Sequence, residues 1–334
     1  MKAPGLALGA GLRPRRPPVG QRLIESEPMR HFLDLLNLSS DEINHLFREA
    51  ARLKAASAGG DRTPILQGRV LGLVFEKPSL RTRASFQSAM AQLGGSSVFM
   101  TGSEAGMGSR ESVPDFARVM SQYVDAVVLR TFSHETVETF AAHSSCPVIN
   151  GLSNYHHPCQ ALTDLFTLQE VFGDLKDRTI AFIGDGNNVA RSLAICCGKL
   201  GVRFVLAAPE GYGFDKPFME MFGKVLPKEA LVQNGKPAHA VQKADVIYTD
   251  VWTSMGQEAE QQLRQQSFAG YQVNEALLQQ APAHARVMHC LPAHRGEEVT
   301  EGVLEGERSI VFQQAGNRLH AQKALLKWLL TETK

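Results

Sequence analysis

The chain alternates short aliphatic runs with stretches of helical period, and this alternation constrains its fold more than any other feature. Runs that read as buried strands recur at residues 70–75, 97–100, 125–130, 147–150, 179–183 and 203–207. Between them lie segments such as the one after Ser79, in which Phe86, Met90 and Leu93 recur at spacings of three and four. Strand, helix and strand in succession predict an α/β architecture with doubly wound parallel sheets. With 334 residues, 43% of them hydrophobic, the chain is long enough for two such domains. The alternation restarts after Gly173-Asp174-Leu175. The expected organisation is therefore an N-terminal extension over residues 1–28, a first domain over 29–172 and a second over 173–334. The last helix is expected to pack back on the first domain.

Charge and cysteine usage narrow the function classes. A net charge of +1 carries no footprint of nucleic-acid binding, and no apolar run is long enough to cross a bilayer. Neither partner is expected. The five cysteines, at 146, 159, 196, 197 and 290, lack metal-ligand pair spacing, and their odd number suits a reducing compartment. Disulfides and a bound metal are not expected. The extension holds Lys2, Arg13, Arg15, Arg16 and Arg22 before its first acidic residue, Glu25, which resembles an organelle transit peptide. Its three central prolines, at 14, 17 and 18, and the lack of serine before Ser26 oppose that reading. The expectation is a disordered extension and a cytoplasmic protein, with an organelle matrix as the alternative.

Residues 75–86 read Phe-Glu-Lys-Pro-Ser-Leu-Arg-Thr-Arg-Ala-Ser-Phe. A strand ends there and a helix begins, with Ser79 or Thr82 at its N-terminus. Backbone N–H groups without intrahelical partners, two hydroxyls and two guanidinium groups converge, a set that suits a dianionic phosphate better than a neutral ligand. An ordinary N-cap with solvated arginines is the competing reading.

Three further stretches bear on that choice: His156-His157-Pro158-Cys159-Gln160-Ala161-Leu162-Thr163-Asp164, Asp250-Val251-Trp252-Thr253-Ser254-Met255-Gly256, and His289-Cys290-Leu291-Pro292-Ala293-His294-Arg295. In this order and at these separations the four resemble the aspartate/ornithine carbamoyltransferase family, and the last two its ornithine-using branch. The resemblance runs from about Met29 to the C-terminus. It implies two parallel-sheet domains with the active site in the cleft between them, and transfer of a carbamoyl group from carbamoyl phosphate to the δ-amine of ornithine. A role in arginine biosynthesis and a homotrimer, or a multiple of trimers, would go with it. No cofactor is required.

The resemblance also distributes roles. Carbamoyl phosphate would be held by Ser79, the backbone at Leu80, Arg81, Thr82 and Arg130, by the His157-Pro158-Cys159-Gln160 stretch, by Cys290 and Leu291, and by Arg318. Arg83 would be a supporting charge. Arg130, His157 and Cys290 would act in catalysis, the first two with Thr82 stabilising charge on the carbonyl oxygen and Gln160 bonding the carbamoyl amide. Ornithine would meet Asn187, Ser254 and Met255 through its carboxylate and Asp250 through its α-ammonium.

Other readings compete. Gly184-x-Gly186 after a strand, with Glu210 at the end of the next, imitates a dinucleotide-binding turn, yet Val189 stands where a third small residue belongs. A nicotinamide-dependent dehydrogenase would respond to NAD(P)H, and a non-catalytic amino-acid-binding protein would form no product. Within the family, putrescine would leave the carboxylate donors unpaired and acetylornithine would lack the charge that Asp250 expects. Two departures from the family pattern stand out. Leu80 replaces the usual threonine, and Gly106-Met107-Gly108 lacks the side chain that in relatives reaches the phosphate site of a neighbouring subunit.

Overall fold

The computed structural model describes residues 29–253 and 258–332. The extension over residues 1–28 and the Ser254 and Met255 positions therefore lie outside the described residues. In the first half α1 (Ser40–Ala58) precedes β1 (Val70–Phe75), α2 (Leu80–Gln92), β2 (Ser96–Thr101), α3 (Gly102–Ala105) and α4 (Val113–Met120). There follow β3 (Ala126–Arg130), α5 (His134–His143), β4 (Val148–Leu152) and α6 (Pro158–Phe172). The second half continues with β5 (Thr179–Ile183), α7 (Asn188–Leu200), β6 (Arg203–Ala207), α8 (Lys216–Val225), β7 (Leu231–Gln233), α9 (Pro237–Val241) and β8 (Val246–Thr249). It ends with α10 (Gln261–Phe268), α11 (Glu275–Leu278), β9 (Arg286–His289), α12 (Glu301–Leu304) and α13 (Val311–Thr331).

Local chemistry explains the boundaries. Ser39 caps α1 with a reciprocal capping box through Glu42, and Gly59 stops it. Ser79 caps α2 by accepting from the Thr82 N–H at 3.2 Å. Residues 101–112 contain the short helix α3, because Thr101 and Glu104 form a second capping box. Helix α6 starts at Pro158, since proline is favoured at the first helical position and gives up no bond there.

Both sheets are wholly parallel, in the orders β2-β1-β3-β4 and β7-β6-β5-β8-β9. In each, chain order reverses beside the first strand formed, between β1 and β3 and between β5 and β8. A crevice opens past the strand C-termini at such a reversal. Phe75 and Arg130 end the first pair, Ile183 and Thr249 the second. Gly186 sits just past β5 because a Cβ there would come within 2.9 Å of the Gly213–Phe214 backbone. Gly186 thus serves backbone packing, while Gly184 takes a positive φ of 147°.

The halves are stitched together at the back by α13, which packs on α1, α2 and α6 of the first half. Lys327 of α13 pairs with Glu49 of α1 at 2.6 Å, and Lys54 of α1 donates to Asn317 of α13 at 2.8 Å. At the front, Ser192 of α7 accepts from the His157 N–H at 2.8 Å. Asn188 donates to the Ser153 carbonyl at 2.6 Å.

Candidate active site

The two crevices face one another and enclose a cavity of about 540 Å³. Its first-half wall consists of Lys77 to Thr82, Arg130 and His157, with Arg318 reaching in from α13. Asn188, Val189, Asp250, Val251, Thr253 and Gln261 form much of the opposite wall, completed by Cys290, Leu291, Pro292 and His294.

The first wall is a concentration of positive charge. Arg81, Arg130 and Arg318 all reach the cavity with Lys77, against the single carboxylate of Asp250 among the described wall residues. Arg130 is buried at the end of β3, and burial with the charges of Arg318 and Arg81 lowers its pKa to about 10. Arg318 donates to Gln160 Oε1 at 2.8 Å and to Thr82 Oγ1 at 3.1 Å. The Nε atoms of Arg130 and Arg318 and Nδ1 of His157 are buried without partners. Buried donors left unsatisfied are costly, so their convergence on one cavity marks a place for a multivalent anion. His157, the N-cap of α6, is held well below the usual histidine range by burial and by the Arg318, Arg130 and Arg81 charges. It is a neutral imidazole.

The second wall is already hydrogen-bonded. Asp250 Oδ2 accepts from Asn187 Nδ2 at 2.8 Å, and Oδ1 accepts from the Val251 N–H at 2.8 Å and from Cys290 Sγ at 3.0 Å. Burial, followed by the Asp250 charge, drives the Cys290 pKa well above the usual thiol value, so the group is a protonated S–H donor. Leu291 takes a left-handed φ of 57°, with its N–H donating to His289 Nδ1 at 2.8 Å. Behind this wall Arg264 pairs with Asp185 and donates to the Trp252 carbonyl, which fixes the segment after β8.

The donor atoms of Asp250, His289 and Cys290 lie within 4.8 Å of one another, a spacing compatible with a metal ion. The His289 nitrogens are both occupied, however, Nδ1 by Leu291 and Nε2 by Glu298 at 3.0 Å. No imidazole lone pair is left for an ion.

Of the residues singled out in the sequence, Ser79, Leu80, Arg81, Thr82, Arg130, His157, Asp250, Cys290, Leu291 and Arg318 meet around the cavity. Others do not reach its wall. Pro158 begins α6, the Cys159 thiol turns back to the Asn150 carbonyl at 3.4 Å, and Gln160 spends its amide on Asp164 and its carbonyl on Arg318. Asn187 is occupied by the α7 cap and by Asp250, and its neighbour Asn188 lines the cavity instead. The Arg83 guanidinium lies over the Phe99 ring at 3.6 Å, away from the cavity, which corrects its expected role as a supporting charge. Sequence reasoning gave no role to Lys77 and Thr253, which lie within the quoted motifs, and passed over Gln261, which lies beyond them.

Comparison with known proteins gives a consistent result. Residues 30–170 match the family described as aspartate/ornithine carbamoyltransferase, carbamoyl-P binding domain, and residues 176–329 match its Asp/Orn binding domain. An ornithine carbamoyltransferase of Anoxybacillus flavithermus is 50% identical over 304 residues, covering 90% of this chain and 96% of its own. Among solved structures, that of ornithine carbamoyltransferase from Pyrococcus furiosus has a TM-score of 0.88 at 43% identity, covering 93% of this chain and 100% of the other. That of the anabolic ornithine carbamoyltransferase from Campylobacter jejuni has a TM-score of 0.84 at 37% identity, covering 90% and 99%.

Proposed function

Because the chain belongs to the aspartate/ornithine carbamoyltransferase family, we propose that the two walls of its cleft divide the reaction between them. The enzyme transfers the carbamoyl group of carbamoyl phosphate to the δ-amine of L-ornithine, giving L-citrulline and phosphate. The observation that carries the division of roles is the set of three guanidinium groups facing the cavity with no ion-paired carboxylate of their own among the described residues.

In this reading the phosphate lies at the N-terminus of α2, held by Ser79, the Leu80 N–H, Arg81 and Thr82. Arg130 and His157 face the carbamoyl oxygen. Negative charge grows there as the amine attacks, and donors already in place at low dielectric stabilise it without reorganisation. Neutral His157 serves this role through a ring N–H donated to the oxygen. Arg318 borders the donor, with Gln160 orienting it from behind. On the opposite wall Asp250 pairs with the α-ammonium of ornithine, while Cys290 and the Leu291 carbonyl face the δ-amine. Asn188, Ser254 and Met255 supply the carboxylate end.

We also propose a role in arginine biosynthesis, a cytoplasmic location and assembly as a homotrimer or a multiple of trimers. The anabolic label of the Campylobacter jejuni structure supports the first. The edge strand β2, with Val98 47% exposed, offers an apolar rim for the last. Sedimentation velocity tests the assembly, and a monomer at micromolar concentration would contradict it.

A bisubstrate analogue tests the division of roles. Phosphonoacetyl-ornithine, which spans both walls, is expected to inhibit strongly, and its aspartate counterpart weakly. Equal inhibition by the two would overturn the assignment.

A further inference from the structure

Behind the cleft, out of reach of substrate, lies a hydrogen-bond relay centred on Asp164, which is 0% exposed. Its Oδ1 accepts from Gln160 Nε2 at 2.8 Å and from Gln314 Nε2 at 2.7 Å, and its Oδ2 accepts from the Tyr248 hydroxyl at 3.0 Å. Each glutamine passes the relay on. Gln160 Oε1 takes Arg318 Nη1 at 2.8 Å, and Gln314 Oε1 takes the His289 N–H at 3.1 Å. One carboxylate thus joins the donor-side guanidinium of Arg318 to the backbone immediately before Cys290.

The polarity of this chain has one solution. A guanidinium and a backbone N–H only donate, so each glutamine must turn its carbonyl toward them and its NH2 inward. Two inward amides and a phenol then need a common acceptor, and a carboxylate supplies it. Flipping either amide sets donor against donor at its outer end and carbonyl against carboxylate at Asp164. Asp164 lies on α6, Tyr248 on β8 and Gln314 on α13, so the relay spans both domains.

We propose that Asp164 and Gln314 are positioning residues that hold the Arg318 guanidinium and the His289–Cys290 backbone in one register, each acting on the wall its branch serves. The Gln160 branch sets the carbamoyl-phosphate side, and the Gln314 branch sets the ornithine side. This inference rests on the function proposed above. Burial raises the Asp164 pKa to about 7, and the amides of Gln160 and Gln314 and the Tyr248 hydroxyl oppose that rise by bonding the ionised form.

The test sorts Michaelis constants by branch. Gln314→Met keeps the length of the side chain and removes its polar atoms. It is expected to raise the KM for ornithine by about tenfold while the KM for carbamoyl phosphate stays within about threefold. Asp164→Leu cuts both branches and is expected to raise both constants. Asp164→Asn keeps a carbonyl toward the two glutamines, turns its NH2 to the Tyr248 oxygen, and is expected to hold both within about threefold. A merely structural role would lower the melting temperature without this sorting. Should Asp164→Leu fail to fold, Gln314→Met decides alone, and equal changes in both constants, or none, overturn the proposal. Wild-type protein that makes no citrulline would overturn the functional reading itself, a result distinct from an unsorted pattern in an active enzyme.

Discussion

The two walls of the cleft solve opposite problems. The first gathers guanidinium groups, and the buried Nε donors of Arg130 and Arg318 have no partner among the described residues, an arrangement unfavourable until an anion arrives. Opposite it, Asp250 is already bonded to Asn187, Val251 and Cys290, so the acceptor meets a carboxylate held in position. The difference follows from the ligands. A phosphate brings enough charge to satisfy a frustrated site, whereas the single α-ammonium of an amino acid has to be recognised against water and needs a preorganised partner. The frustrated wall should therefore be sensitive to loss of charge, and the preorganised wall to loss of geometry.

The largest expected effect comes from breaking the first wall. Arg81→Ala removes a charge-assisted partner of the phosphate and should lower kcat/KM for carbamoyl phosphate by more than about a hundredfold, on the order of 3 kcal/mol. Arg81→Lys should recover only part, because a point charge cannot reproduce the guanidinium fork. On the other wall, Asp250→Asn keeps the shape and removes the charge that meets the α-ammonium. Steady-state kinetics should show a loss of about 2 kcal/mol in kcat/KM for ornithine and little change in KM for carbamoyl phosphate. Matching losses for both substrates would erase the distinction between the walls.

Acid stability sharpens the comparison further. His157 is held neutral by burial against the three guanidinium groups, and burial puts the neighbouring His156 at about 3. Below the unfolded value near 6.5 the unfolded chain takes up protons that the folded chain refuses. Each such histidine therefore removes about 1.4 kcal/mol of stability per pH unit on acidification. Asp164 works the other way, since its folded pKa of about 7 lies above its unfolded value and its contribution rises as pH falls through that window. Two histidines against one carboxylate leave a net loss, so the urea midpoint should drop between about pH 6.5 and 5. A flat profile would mean that His157 is not cation-crowded.

The smallest effect is expected at Leu80, which is 78% exposed at the start of α2. If its contribution to the phosphate is the backbone N–H, Leu80→Thr should keep kcat/KM within about threefold, since a neutral hydrogen bond is worth about 1 kcal/mol. Damage equal to that of Arg81→Ala would mean that the turn into α2 is arranged differently.

Those residues that were legible in the sequence owe it to local rules. The strands at 70–75, 179–183 and 203–207 coincide with β1, β5 and β6, because a short aliphatic run bounded by turn residues has few other uses. The apolar spacing that follows narrowed the cap of α2 to Ser79 or Thr82, of which Ser79 is the cap. Gln160 and Asn187 were assigned to substrates because their chemistry suits a ligand, but Gln160 is occupied by distant Arg318 and by Asp164 one turn along its own helix, and Asn187 by distant Asp250. Partners separated by 158 residues, as Arg318 and Gln160 are, leave no periodic trace in a single sequence. The Gln314 branch was invisible for the same reason, its partner Asp164 lying 150 residues away.

The central claim is that one wall presents a carbamoyl donor and the other selects ornithine. The most direct measurement is product formation from carbamoyl phosphate with ornithine, putrescine, acetylornithine and aspartate offered in parallel to the same preparation. The account predicts citrulline from ornithine at a kcat/KM at least about a hundredfold above the other three, because only ornithine offers both an α-ammonium for Asp250 and a carboxylate for the donors beside it. Comparable turnover of putrescine or acetylornithine would contradict it, and so would carbamoylation of aspartate in place of ornithine.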